Sequence, residues 1–155
     1  MNTVVRDPIP SRMSIAGHPV HPMLIHFPVA MLMALVGADV LYLVTADPFW
    51  WRAALWLAGV GAAGGWAASL VGLVDWLLVA RIRRLITGAC HAIAAVMMLS
   101  VASFNWIIRL NPATPHEMGV HLFLSLLTAA LIMLAGWLGG RLVYEHAVGV
   151  AASEG

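Results

Sequence analysis

The sequence predicts an all-α integral membrane protein, a four-helix bundle with both termini in the cytoplasm, and three observations predict it. Hydrophobic residues fill 62% of the 155 positions and charged residues only 10%, against about a quarter charged in a soluble domain. Four apolar stretches each reach the roughly 20 residues that a helix needs to cross a hydrocarbon core. Every basic residue is an arginine, and the arginines divide unevenly between the two ends of such a bundle.

The elements follow in order. Residues 1–21 form a polar, proline-bearing strap; "MNTVVRDPIPS" lacks the apolar core of a cleavable signal peptide, so no cleavage is expected. Residues 22–146 form the membrane domain, with helices at about 22–45, 51–80, 85–108 and 118–144, separated by "TADPFWWR", "RIRR" and "RLNPATPHE". Residues 147–155 are a tail. Between Ala53 and Val74 no residue is charged, which makes the second span the least ambiguous. Arg6, Arg12, Arg81, Arg83, Arg84 and Arg141 fall on the side of the termini and only Arg52 and Arg109 on the other, so the positive-inside rule places the termini in the cytoplasm. Trp50, Trp51, Trp76 and Trp106 fit interfacial belts, whereas Trp56, Trp66 and Trp137 read as internal packing residues. A net charge of +1 gives no reason to invoke nucleic acid. The lone Cys90 excludes an internal disulfide and reads as a small apolar filler.

Helical periodicity assigns the inward faces. The second helix carries Gly61, Gly65, Ala68, Ser69, Gly72 and Asp75 at spacings of three and four, a stripe that admits a close neighbour and gives a possible oligomer contact. His91, Ala95, Met98, Ala102 and Asn105 line the third helix. His121, Ser125, Thr128, Ile132, Gly136, Gly139 and His146 line the fourth. Asp39 is expected to pair with Arg52 or His121, and Arg141 with Glu145 four residues on.

The candidate site is the polar group at the terminal side: His18, His21, His26, Asp75, His91 and His146, with Arg141 and Glu145 beside them. His18 and His21 each precede proline, which disfavours helix there, so "HPVHP" reads as a stiff strap, with Pro22 in the first helical turn and Pro28 kinking the helix. Ionisable groups inside a membrane are expensive unless paired and mark functional sites, and imidazole is the commonest metal ligand. Two histidines at equal depth on different helices suit a six-coordinate haem b, with His26 and His91 the best-matched pair and His21 able to replace His26. The alternative is a divalent ion such as zinc or iron held by His26, His91, His21 and Asp75. Asp75 otherwise orients a histidine ring, while His18, His21, His146 and Arg141 form a rim near a haem propionate. His121 and His116 are expected to contribute little. No fixed-spacing motif for haem attachment or zinc hydrolysis is present.

The segments "HPVHPMLIHFPVA", "FWWRAALWLAGVGAA", "GLVDWL" and "GWLGGRLVYEHAVGV" together resemble small bacterial four-span membrane proteins of domain of unknown function family 2231, over nearly the whole chain from His18 to Val150. The resemblance carries over to His18, His21, Asp75, His91, Gly139, Gly140 and His146. It implies a bacterial inner-membrane protein, and the joining of members to Rieske iron-sulfur domains implies proximity to electron transfer; this chain carries no such domain. The expectation is therefore an electron carrier more than an enzyme, with haem b and a redox partner protein or quinone. Its rivals are a cofactor-free accessory subunit of a larger membrane complex and a metal- or proton-handling site.

Overall fold

The computed structural model describes residues 7–111 and 118–150. A hairpin of β1 (Ser14–Ile15) and β2 (His18–Pro19) leads into α1 (Val20–Thr45), followed by α2 (Pro48–Leu78), the single-turn α3 (Ala80–Arg83), α4 (Ile86–Arg109) and α5 (Met118–Tyr144). The four long helices are each long and apolar enough to span a membrane.

Local chemistry sets the boundaries. The two-residue loop of the hairpin, Ala16–Gly17, has φ of 49° and 79°; tight hairpin loops need such left-handed residues, and glycine adopts them without strain. α1 begins at Val20, two residues earlier than Pro22, so His21 is helical although it precedes a proline. The first helical turn has no hydrogen bond for Pro22 to break. The ring of His21 is also held by a backbone carbonyl of α2. Ala46 ends α1 in the left-handed region, and Asp47 caps α2 by accepting from the Phe49 N–H at 2.8 Å, with Pro48 in the first turn.

Contacts run α1 with α2, α2 with α4, α4 with α5 and α5 with α1, so the four spans close a ring in which α1 faces α4 diagonally. The two hairpins of this ring bury matching positions. In α1 these are Pro28, Leu32, Leu35 and Asp39; seventy residues on, α4 buries Met98, Ala102, Asn105 and Arg109. In α2 they are Ala54, Ala58, Gly61, Ala62, Gly65 and Ala68; sixty-seven residues on, α5 buries His121, Ser125, Thr128, Ala129, Ile132 and Ala135. An approximate two-fold axis along the bundle relates α1–α2 to α4–α5.

The apolar core lies mid-bundle, around Leu32, Leu35, Ala58, Met98, Leu99 and Ala102. Close approach there depends on the glycines of α2: a methyl group added at Gly61 would meet Leu32, one at Gly65 would meet Leu99, and one at Gly72 would stand 3.0 Å from the ring of His21. The glycine stripe is thus consumed inside the bundle and does not present an oligomer face. Open space surrounds Gly37, Gly119 and Gly136 instead.

The strap is folded onto the end of the bundle. Ile9 donates to the Ala147 carbonyl at 3.0 Å and accepts from the Gly149 N–H at 2.8 Å. Arg81 donates to the carbonyls of Asp7 and Pro8 at 3.0 and 3.2 Å. Both ends of the described chain therefore lie at the same end of the bundle.

One tryptophan expectation is overturned: Trp56, Trp66 and Trp137 are 70%, 38% and 61% exposed and do not fill the interior. Trp50 and Trp106 pack partly against the core, with Trp106 lying over Gly59. Cys90 is also exposed and fills no internal space. Periodicity names a face, but in a lipid solvent an apolar face is as suited to lipid as to protein.

Candidate functional site: two pairs across the bundle axis

Eighteen residues separate His21 from Asp39 in α1, and eighteen separate His91 from Arg109 in α4. That is five full turns, so both members of each helix share a face and stand about 27 Å apart along the axis. The diagonal arrangement then sets His21 against His91 at one end and Asp39 against Arg109 at the other.

The Asp39 end is a closed network. Arg109, 1% exposed, donates Nη1 and Nη2 to the two Asp39 oxygens at 2.8 and 2.7 Å and Nε to Asn105 Oδ1 at 3.0 Å. The Ser125 hydroxyl donates to Asp39 at 2.6 Å and receives Nη2 of Arg109 at 3.3 Å. Asn105 donates to Ser125 at 2.9 Å and accepts from His121 Nδ1 at 3.1 Å. The Trp51 ring covers the guanidinium, 5.4 Å from its centre, and meets His121 edge-on at 5.1 Å. Asp39 therefore pairs with Arg109 and not with Arg52 or His121. Arg109 looked like a loop charge because it ends its helix, but its long stem folds inward to the only buried carboxylate at that depth among the described residues. His121 lies in this network, where little was expected of it. The signal that would have found it is the shared spacing of eighteen on α1 and α4.

The histidine end is built differently. His21 Nδ1 donates to the Ala68 carbonyl of α2 at 2.8 Å, and His91 Nδ1 to the Ala135 carbonyl of α5 at 2.9 Å. Each carbonyl is followed four residues later by a glycine under the same ring. Gly72 lies beneath His21, and Gly139 lies beneath His91, where a methyl group would stand 3.3 Å from the ring. A carbonyl only accepts, so Nδ1 carries the proton in both rings and the lone pair of each neutral imidazole resides on Nε2. The ring centres are 6.2 Å apart with planes crossing at 86°.

The other candidates separate from this pair. His26 is exposed on the outer face of α1, because it lies five residues, or about 140° of helical turn, beyond His21; His21 is therefore the partner of His91. His18 is exposed in the hairpin and donates Nδ1 to the Ala16 carbonyl at 2.9 Å. Asp75 orients no histidine. Its Oδ1 accepts the backbone N–H groups of Arg12 and Met13 at 2.7 and 2.9 Å, and Oδ2 accepts the Ser11 hydroxyl, so it pins the strap. Sequence reading missed this because backbone N–H groups leave no trace in residue identity. His146 lies beside the Thr87 hydroxyl at 3.5 Å. Arg141 donates to Glu145 at 2.8–2.9 Å, as the spacing predicted, but on an exposed face over Trp137 and turned away from the bundle axis. His116 lies outside the described residues. Among the described residues no group of three or more His, Cys, Asp or Glu is placed to hold a metal ion.

Four apolar spans, a strap-closed end and two polar pairs across the axis define a multi-pass membrane protein. The chain belongs to the predicted membrane protein family DUF2231, whose model matches residues 17–152. No curated protein and no solved structure matches it.

Proposed function

We propose that His21 and His91 would hold a haem b, and that the protein carries electrons in the bacterial inner membrane between a redox protein or quinone and a second partner. The observation that carries this reading is the pair of Nδ1–H bonds to Ala68 and Ala135. Metal-bound histidines are usually oriented by such a bond from the ring nitrogen away from the metal. The two ring centres stand 6.2 Å apart, so both side chains could serve one bound group. Haem iron brings four nitrogens of its own and asks only two of the protein. A bare zinc or iron ion asks for three or four, and Asp75, the expected third ligand, has both oxygens engaged by the strap. The Trp76 indole N–H is buried with no partner among the described residues. It follows Gly72 by one helical turn and leaves a donor open to a bound polar group.

The cytoplasmic placement of this end is part of the proposal. With Arg109 turned inward, Arg52 is the sole arginine left exposed among the described residues at the opposite end, which supports the orientation. A reporter fused after Gly155 is expected to be active in the cytoplasm, and one inserted near Asp47 in the periplasm.

The test is an absorption spectrum of protein purified from cells supplied with haem. Wild type and His26→Ala are expected to show a Soret band with about one haem per chain, and His21→Ala and His91→Ala to lose it. Wild type without a Soret band overturns the haem reading and leaves the accessory-subunit reading in its place.

A further inference from the structure

A pocket of about 360 Å³ opens at the end of the bundle that carries both chain ends, lined by Asp7, Ile9, Arg81, Arg84, Leu85 and His146. None of these residues belongs to either axial pair. The walls come from the strap, the α3–α4 turn and the turn after α5. The Ile9 bonds to Ala147 and Gly149, and those of Arg81 to Asp7 and Pro8, fasten these stretches to one another, so the pocket is preformed.

Arg84 contributes nothing to that fastening. It is exposed, and its side chain makes no hydrogen bond or ion pair with the described residues, so the five guanidinium donors remain available. Two guanidinium groups face one carboxylate, which leaves the lining positive. The first turn of α4 adds to this, since it has no side-chain cap and no acidic residue. Ile9 and Leu85 give the pocket two apolar walls. Just past Leu85, Ile86 is 81% exposed at the start of a candidate membrane span, where acyl chains would lie alongside.

We infer that this pocket binds the phosphate group of an anionic phospholipid headgroup, with the Arg84 guanidinium making a two-pronged contact to the phosphate oxygens. Arginine suits this role because its planar fork matches phosphate geometry, and basic pockets beside membrane helices are a recurrent headgroup site. Arg81 is a positioning residue, since its own donors hold the strap that forms one wall.

The experiment is native mass spectrometry of the full-length protein in detergent, titrated with phosphatidylglycerol or with inorganic phosphate. Arg84→Gln and the exposed control Arg52→Gln are run beside wild type. Wild type and Arg52→Gln are expected to retain one phosphatidylglycerol per chain, and Arg84→Gln to bind it about tenfold more weakly with an unchanged melting temperature. If 10 mM inorganic phosphate displaces the lipid from wild type, the phosphate site stands and its ligand in the cell is a soluble anion. Equal retention by Arg84→Gln and wild type, or saturable binding of neither probe, overturns the inference. Haem content reads the axial pair separately, so the two proposals fail independently.

Discussion

The two ends of the bundle occupy equivalent places about one axis and are filled in opposite ways. At the far end the paired positions hold an aspartate and an arginine, which satisfy each other through a bidentate contact at 2.7 and 2.8 Å. At the strap end they hold two histidines, each of which has spent its Nδ1 proton on a neighbouring carbonyl. Unlike groups across the axis close a network. Like groups with only lone pairs left cannot complete each other. The first end has the chemistry of a lock, and the second is the end on which the proposed haem site rests.

The largest effect is expected from breaking the lock. Asp39→Ala leaves the Arg109 charge buried without its carboxylate, and removing one member of a buried pair costs about 3–5 kcal/mol. The variant is expected to accumulate poorly and to melt well below wild type in detergent. The double variant Asp39→Leu with Arg109→Met removes both charges and is expected to recover most of the loss. If Asp39→Ala melts like wild type, the far end is not a lock and the contrast between the ends collapses.

A smaller effect sharpens the other half of the comparison. Gly139→Val places a branched side chain where a single methyl already stands 3.3 Å from His91; overpacking of this kind costs about 1–3 kcal/mol and displaces the ring. Haem content is expected to fall while the far end stays intact. Gly136→Val, introduced where open space surrounds the backbone, serves as the control and is expected to leave both unchanged. Equal haem in the two variants would separate ring position from binding.

Asp75→Asn tests the strap alone. The amide keeps an oxygen for the Arg12 and Met13 N–H groups but loses the charge that strengthens those bonds, a change of about 1–2 kcal/mol. Hydrogen exchange at Arg12 and Met13 is expected to quicken several-fold with the helices still protected. Unchanged exchange there would mean that the contacts to Ala147 and Gly149, not Asp75, hold the strap.

These residues also show what the sequence made legible. The four spans were, because an apolar run of more than twenty residues has one stable form in a bilayer. So were the inward face of α2 and that of α5 through His121, Ser125, Thr128 and Ile132, although Gly136, expected on the same face, borders open space. The choice of His21 over His26 depended on where α1 begins. His21 shares the face of Asp39 and His26 stands about 140° away from it, but two prolines made it uncertain that His21 was helical at all. Arg109 was misplaced because a residue at a helix end reads as a loop charge until its partner is known. That partner sits seventy positions away on a diagonal helix. The spacing of eighteen on both α1 and α4 was present in the sequence, but it acquires meaning only once those helices are known to face each other.

The smallest effect comes from the second arginine–carboxylate pair, which isolates what burial contributes to the first. Arg141 and Glu145 are joined by contacts almost as short as those of Arg109 and Asp39, at 2.8–2.9 Å, but their side chains are 37% and 46% exposed, against 0% for both members of the buried pair. Exposed pairs are solvated in the unfolded and folded states alike and contribute little. Arg141→Gln also removes the cation from the face of Trp137, an exposed contact of similarly small weight. The melting temperature and the haem content of Arg141→Gln are therefore expected to match wild type within error. A clear loss of haem in this variant would return Arg141 to the site, as a residue that reaches inward when the cofactor is present, and would extend the open end of the bundle beyond the two histidines.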